Sequence, residues 1–254
     1  MSGHSKWSQI KRQKGVADAR RGQLFTKLAR EIIIAVREGG TNPEANFRLR
    51  LVVQKARDSN MPLENIDRAI KRGSGQAEGA SLADMVLEGY GPSGVAVLVT
   101  ALSDNRNRTL QDVRNIFTRH GGNLGESGCV AWLFDNRGVV TVEVDAQGAE
   151  ELALKAIDAG AEDVKIENNY IEIYTKPEEL EKVREALKQK KIPIASAELS
   201  MVPKTVVQLE EKAAMQTLRL LDKLEELDEV QYVSSNADFP DSILEKYQSL
   251  SPTR

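Results

Sequence analysis

The stretch from Val139 to Val202 leaves few folds open. Val139 to Val144 reads as a strand, Gly148 to Ala159 as a helix and Asp163 to Glu167 as a strand. Asn168-Asn169 suits a hairpin turn, Tyr170 to Thr175 a strand, Pro177 to Gln189 a helix and Ile194 to Val202 a strand. That order, β-α-β-β-α-β, is a ferredoxin-like unit. The flanks carry most of a second one. Met85 to Tyr90 is a strand, Gly91 to Gly94 a turn, Val95 to Leu102 a strand apolar enough to be central, and Cys129 to Phe134 another strand. Between them Thr109 to His120 is a helix with Val113, Ile116 and Phe117 inward. Beyond the insert come a helix over Glu210 to Leu227, striped by Ala214, Leu218, Leu221 and Leu224, and a strand over Val230 to Ser234. One strand of the second unit is missing from Val95 onward, and a hairpin partner near Val206 is expected to supply it. The fold class predicted is α+β: an N-terminal three-helix domain followed by two ferredoxin-like α+β domains, one inserted in the other. The expected divisions are 1–80, 81–136 with 203–236, an insert at 137–202, and a partly disordered tail at 237–254 with one weak helix from Ser242 to Leu250.

The N-terminal region is helical by pattern. Leu24, Leu28, Ile32 and Val36 repeat every fourth residue and give one stripe of a helix from Arg20 to Glu38, closed by Gly39-Gly40. Asn42-Pro43 suits the start of a second helix, with Asn42 as cap and Phe47, Leu51 and Val52 inward, closing near Arg57. After a turn through Asn60-Met61-Pro62, a third helix turns Leu63, Ile66 and Ile70 inward and Asn65, Arg68 and Arg72 outward. The last two helices fit either a helix-turn-helix reader or a plain three-helix bundle that touches phosphates without reading bases.

Charge is unevenly placed. Lys6 to Arg72 holds 16 cations against seven acids, a local +9 on a chain whose net charge is −3. The remainder therefore sums to −12, and such a division points the basic end at a polyanion. Candidate nucleic-acid contacts are Lys6, Lys11, Arg12, Lys14, Arg20, Arg21, Lys27, Arg68, Lys71 and Arg72. Ser2 to Ala19 is a basic arm expected to stay loose until it meets a partner, with Trp7 either anchoring it or stacking on a base. Asp104-Asn105-Arg106-Asn107-Arg108-Thr109, at a helix start, is either an anion or partner loop through Asn105, Arg106 and Arg108 or a capped loop closed by Asp104 or Asn107.

Other chemistry finds little footing. One cysteine and two distant histidines predict no metal site and no disulfide framework. Gly121 to Gly128 lacks the ending and the preceding strand of a phosphate loop. No nucleophile–base pair stands out, so no catalytic residue, cofactor or small-molecule substrate is expected. The strands Val139 to Val144 and Val164 to Glu167 carry no aromatic ring for base stacking. No apolar run is long enough for a membrane span and no signal core opens the chain, so a cytoplasmic location is expected.

Several strings resemble the signatures of the YebC family: Gly3-His4-Ser5-Lys6-Trp7, Arg21-Gly22 through Phe25-Thr26-Lys27-Leu28, Asn60-Met61-Pro62, Ala69-Ile70-Lys71-Arg72-Gly73, Glu88-Gly89-Tyr90-Gly91-Pro92 and Asp104 through Thr109. The resemblance spans nearly the whole chain. It departs at Arg12-Gln13-Lys14, where relatives often carry a histidine, and at Cys129, where serine is expected. It implies a cytoplasmic, three-domain protein whose relatives are read as DNA-binding transcriptional regulators. A mitochondrial branch activates translation, and bacterial relatives are linked to ribosomes stalled on proline-rich sequences. The implied partners are DNA, ribosomal RNA on the ribosome, or both. A protein–protein adaptor acting through the acidic α+β domains is a third reading.

Overall fold

A computed structural model describes residues 18–75, 82–144, 148–166 and 170–250. The chain divides into two compact units, Phe134–Lys204 and the segments on either side of it. The first unit joins the helical region to a sheet.

Helix α1 (Asp18–Gly39) lies against α2 (Phe47–Asp58) and α3 (Leu63–Gly73). Their core holds Leu28, Ile32, Val36, Leu49, Val53, Ile66 and Ala69, together with Leu82 and Leu102 at and beside the sheet. The second helix starts later than Asn42-Pro43 predicts. Asn42 Oδ1 accepts the Glu44 amide in a turn, and Asn46 is the true cap: its Oδ1 accepts Leu49 N at 3.0 Å. Asn46 Nδ2 donates to the carbonyls of Ala35 and Gly40, tying the start of α2 to the end of α1. A buried side chain that caps one helix and closes another selects its position more strongly than local sequence does. Leu63 is exposed rather than inward, and Met61, just before the helix, is buried in the helical core. Asn60 takes a left-handed conformation (φ 57°) to make the turn, which asparagine tolerates.

In chain order the first unit's sheet strands are β1 (Ala83–Tyr90), β2 (Ala96–Ser103), helix α4 (Arg106–Arg119) and β3 (Asn123–Leu124). The second unit follows: β4 (Phe134–Glu143), α5 (Ala149–Asp158), β5 (Asp163–Ile166), β6 (Tyr170–Thr175), α6 (Leu180–Gln189) and β7 (Ile194–Pro203). The chain then returns through β8 (Val207–Gln208), α7 (Glu211–Glu225), β9 (Val230–Ser235), β10 (Ala237–Asp238) and α8 (Asp241–Leu250).

The second unit's sheet runs β5-β6-β4-β7, with every neighbouring pair antiparallel, the ferredoxin-like order the sequence predicts. The Asn168-Asn169 turn lies outside the described residues. The first unit's sheet runs β3-β1-β2-β9, also antiparallel throughout. Position for position, β9, β2, β1 and β3 match β7, β4, β6 and β5. The missing strand is therefore β1, which precedes the unit in sequence, and not a partner near Val206. That segment, β8, pairs with β10 in a separate two-stranded parallel ribbon.

The strand expected at Cys129 to Phe134 is not one. Amides of Gly128, Val130 and Ala131 point at the Glu88 carboxylate, so they are lost to any ladder, and Ala131–Leu133 forms a short turn of helix. The ladder restarts at Phe134, opposite Pro203, which lengthens β4 at its front. The residues after Asn236 differ most from the sequence reading. Phe239 is fully buried, Ile243, Leu244 and Tyr247 join the core of the first unit, and Tyr247 donates to Asp222 on α7 at 2.6 Å.

Candidate nucleic-acid interface

Several cations of the helical region are held by the protein itself. Lys27, a predicted phosphate contact, donates to the Glu225 carbonyl at 2.6 Å, and Gln23 donates to that of Glu226. Both carbonyls end α7, where a helix leaves acceptors unpaired and carries a partial negative charge. Arg37 donates to Leu82 O, Arg48 pairs with Glu38, and Arg50 lies 3.8 Å from Glu44. Lys55 sits 5.1 Å over the Tyr232 ring. These contacts fasten the helices to one another and to the sheet.

Another set stands apart from these contacts. Arg57 is exposed at the end of α2, and Arg68, Lys71 and Arg72 lie on α3 at spacings of three and four, hence on one face. Ile66, Ala69 and Gly73 bury the opposite face. Gly73 is required there, because a Cβ would come within 2.7 Å of Val36 Cβ. None of these four cations has an acid partner among the described residues. Glu64 in the first turn and Lys71 and Arg72 in the last also complement the helix dipole. Arg21 is exposed on α1, and Arg20 is placed there by its backbone. Lys6, Lys11, Arg12 and Lys14, with Trp7, lie outside the described residues.

The polar loop at 104–109 resolves mainly as a cap. Asn105 Oδ1, not Asp104 or Asn107, accepts Arg108 N at 3.1 Å, and Asn105 N donates to Ser103 Oγ at 2.9 Å. Arg108 reaches Glu229 at 2.9 Å and Asp104 at 3.3 Å, and Arg30 of α1 lies 3.8 Å from the same Glu229. Arg108 therefore does have acidic partners, one of them 121 residues away in sequence. Of the two arginines, Arg106 is exposed without an ion pair among the described residues.

The glycine-rich stretch organises around Glu88. Burial acts to raise its pKa, but the three amides that donate to it, at 2.6 to 2.8 Å, outweigh that and hold the carboxylate below its ordinary range. Burial, then the Glu88 charge, pushes the Cys129 thiol up, which keeps it protonated and a poor nucleophile. The same loop brings together two rings the sequence reading passed over: Tyr90 Oη and Trp132 Nε1 both donate to the Cys129 carbonyl, at 2.9 and 3.1 Å. His120, at the end of α4, is held below its ordinary pKa by burial and by Lys223, Arg219 and Arg119 around it. Among the described residues no cluster of histidine, cysteine and carboxylate could hold a metal, and no helix is long and apolar enough to cross a membrane.

Comparison with known proteins places the chain. The profile described as the TACO1/YebC protein N-terminal domain matches residues 5–76, and the one described as the TACO1/YebC second and third domain matches residues 82–237. A probable transcriptional regulatory protein of Dehalococcoides mccartyi is 59% identical over 249 residues, 98% of this chain and 99% of that one. One of Moorella thermoacetica is 53% identical over 97% and 99% of the two chains. The crystal structure of a conserved hypothetical protein, Aq1575, from Aquifex aeolicus superposes with a TM-score of 0.81 at 50% identity, over 88% of this chain and 92% of that one. The chain belongs to the TACO1/YebC family.

Proposed function

We propose that this protein is a regulator that acts by binding nucleic acid, without catalysis, and that its helical region supplies the grip on phosphates. The observation that carries the reading is the outer face of α3. Arg68, Lys71 and Arg72 stand together there with no acid partner among the described residues, while Lys27, Arg30, Arg37, Arg48 and Arg50 are tied to carbonyls or carboxylates. Cations free of internal partners can release counterions from a polyanion. The names of the relatives, probable transcriptional regulatory proteins, support DNA as the target. The basic arm, through Lys6, Lys11, Arg12 and Lys14, and Arg20 and Arg21 at the start of α1 extend the same surface in this reading.

Salt dependence tests it. Binding of a labelled duplex is followed at several potassium chloride concentrations for the full chain and for Arg68→Ala/Lys71→Ala/Arg72→Ala. The log–log slope should flatten by up to about 2.7, roughly 0.9 for each phosphate no longer neutralised. Lys182→Ala, on α6 of the second unit, should leave the slope alone. An unchanged slope in the α3 variant removes this face from the contact surface.

A further inference from the structure

The insert's sheet has two edges, and they are guarded unequally. β5 is four residues long, carries Asp163 and Lys165, and covers its own Val164 amide with Asp163 Oδ1 at 2.9 Å. Short length, charge and a capped amide are how natural sheets discourage pairing at an edge. β7 has little of this. It runs ten residues, Ile194–Pro203, pairs on one side with β4, and carries one charge, Glu198. Its irregularity lies at the Ile194 end and its proline at the other, so the edge between them is unbroken. Among the described residues no strand pairs with its second side.

The helix above that edge says what fits beside it. α5 packs over β5 and β6, and α6 over β4 and β7. Two contacts mark the side of α6 that faces α5. A Cβ at Gly160, just past α5, would lie 3.9 Å from Val183 Cγ2, and Lys190, just past α6, donates to Lys155 O at 3.1 Å. Glu181, Arg184, Glu185 and Lys188 take the other flank, on the side of the β7 edge. They form a ladder: Arg184 reaches Glu181 at 2.6 Å and Glu185 at 3.3 Å, and Lys188 reaches Glu185 at 3.3 Å. The ladder alternates in sign along the helix. A reversed copy therefore opposes it with unlike charge at each rung, Glu181 against Lys188 and Arg184 against Glu185.

Strand and helix can meet their mates together. Leu180 stands over Gly138, which aligns with Leu199, and Ile192, just before β7, donates to the carbonyl of Leu187. The middle of the ladder thus lies over the middle of β7, near Ala197. A two-fold axis there sets Glu198 across from Ser196 of the second copy and not from its own mate. Strands about 4.8 Å apart, two to each helix, bring the helices to about 10 Å, an ordinary packing distance. We infer that the β7 edge is the seat of a second copy of this chain, the two strands pairing antiparallel into one continuous sheet. The inference goes beyond the nucleic-acid reading and stands without it.

Sedimentation equilibrium of the full chain tests it, and a monomer–dimer equilibrium is expected. Lys188→Glu sets two glutamates against Glu181 and should raise the dimer dissociation constant about tenfold. Glu181→Lys should do the same, and mixing the two variants should restore association, since each then meets an unlike charge. Ser196→Glu, facing Glu198 of the second copy, should weaken the dimer, whereas Ser196→Lys, of similar size, should not. Thermal melts of each variant separate loss of pairing from loss of fold. A chain that stays monomeric throughout the micromolar to millimolar range overturns the proposal. A dimer indifferent to Lys188→Glu and Ser196→Glu places the interface elsewhere and overturns it too. No recovery on mixing, or equal loss in Ser196→Glu and Ser196→Lys, overturns the antiparallel pairing.

Discussion

The two four-stranded sheets occupy the same strand positions and differ in what their outer faces do. In the insert, the strand equivalent to β1 is β6. It is buried along its whole length, and Tyr174 donates to Glu172 at 2.6 Å within it. In the first unit, the matching carboxylate, Glu88, is spent on backbone amides of a loop, and the tyrosine two residues on, Tyr90, faces solvent beside Trp132. Strand order alone therefore does not decide which sheet presents a surface. Two side chains on one strand do, which is why function has to be argued from sites and not from folds.

The comparison can be broken at several points. The first unit carries a helix, α8, that the insert has no counterpart for, anchored through Phe239 at 0% exposure. Phe239→Ala should lower unfolding free energy by about 3–5 kcal/mol in a denaturant titration, as for a large ring removed from a core. A loss of only a few tenths would make the segment an appendage. Next in size is the pair of carboxylates. Glu88→Ala strands three amides, at roughly 1 kcal/mol or more each, so about 3 kcal/mol in all. Glu172→Ala should cost about 1–2 kcal/mol, because a hydroxyl can redirect its proton where a backbone amide cannot. Equal losses would end the distinction between a loop-holding and a face-filling carboxylate.

The pH responses are smaller and opposite in origin. Glu88 has a depressed pKa when folded, so its contribution is present above the ordinary carboxylate value of 4.5 and is lost as pH falls through the folded value. In a chain carrying Trp7→Phe, which leaves Trp132 as its one tryptophan, emission should shift in that acid range, and Glu88→Gln should remove the shift. His120 is also depressed, but as a base: the unfolded chain takes up its proton first, so stability declines as pH drops below the ordinary 6.5. His120→Asn should flatten that decline in thermal melts between pH 7 and 5.

Periodicity made the helices and the insert readable, because both are local. The order of the second sheet was harder. β1 lies outside the β-α-β-β-α-β order, and only its pairing with β2 and β3 reveals its place. Side chains that bond far along the chain were missed for the same reason. Lys27 reads as a surface cation until the end of α7 is brought to it, and Arg108 reads as unpaired until Glu229 is. Asn46 lost to Asn42 in the sequence because its two carbonyl partners lie in α1 and the turn after it. The α3 face was legible, since spacing on one helix is enough to gather Arg68, Lys71 and Arg72. Trp132 gave no periodic signal because its position depends on Glu88.

Lysine reactivity tests most directly whether the helical region, and not the insert, grips the polyanion. With a duplex present and absent, the full chain is acetylated briefly and each lysine is quantified by mass spectrometry. The account predicts that duplex slows modification of Lys71, leaves Lys182 and Lys191 unchanged, and does nothing to Lys27, already bonded to Glu225. Shielding confined to Lys182 and Lys191, with Lys71 reacting at its free rate, would contradict it.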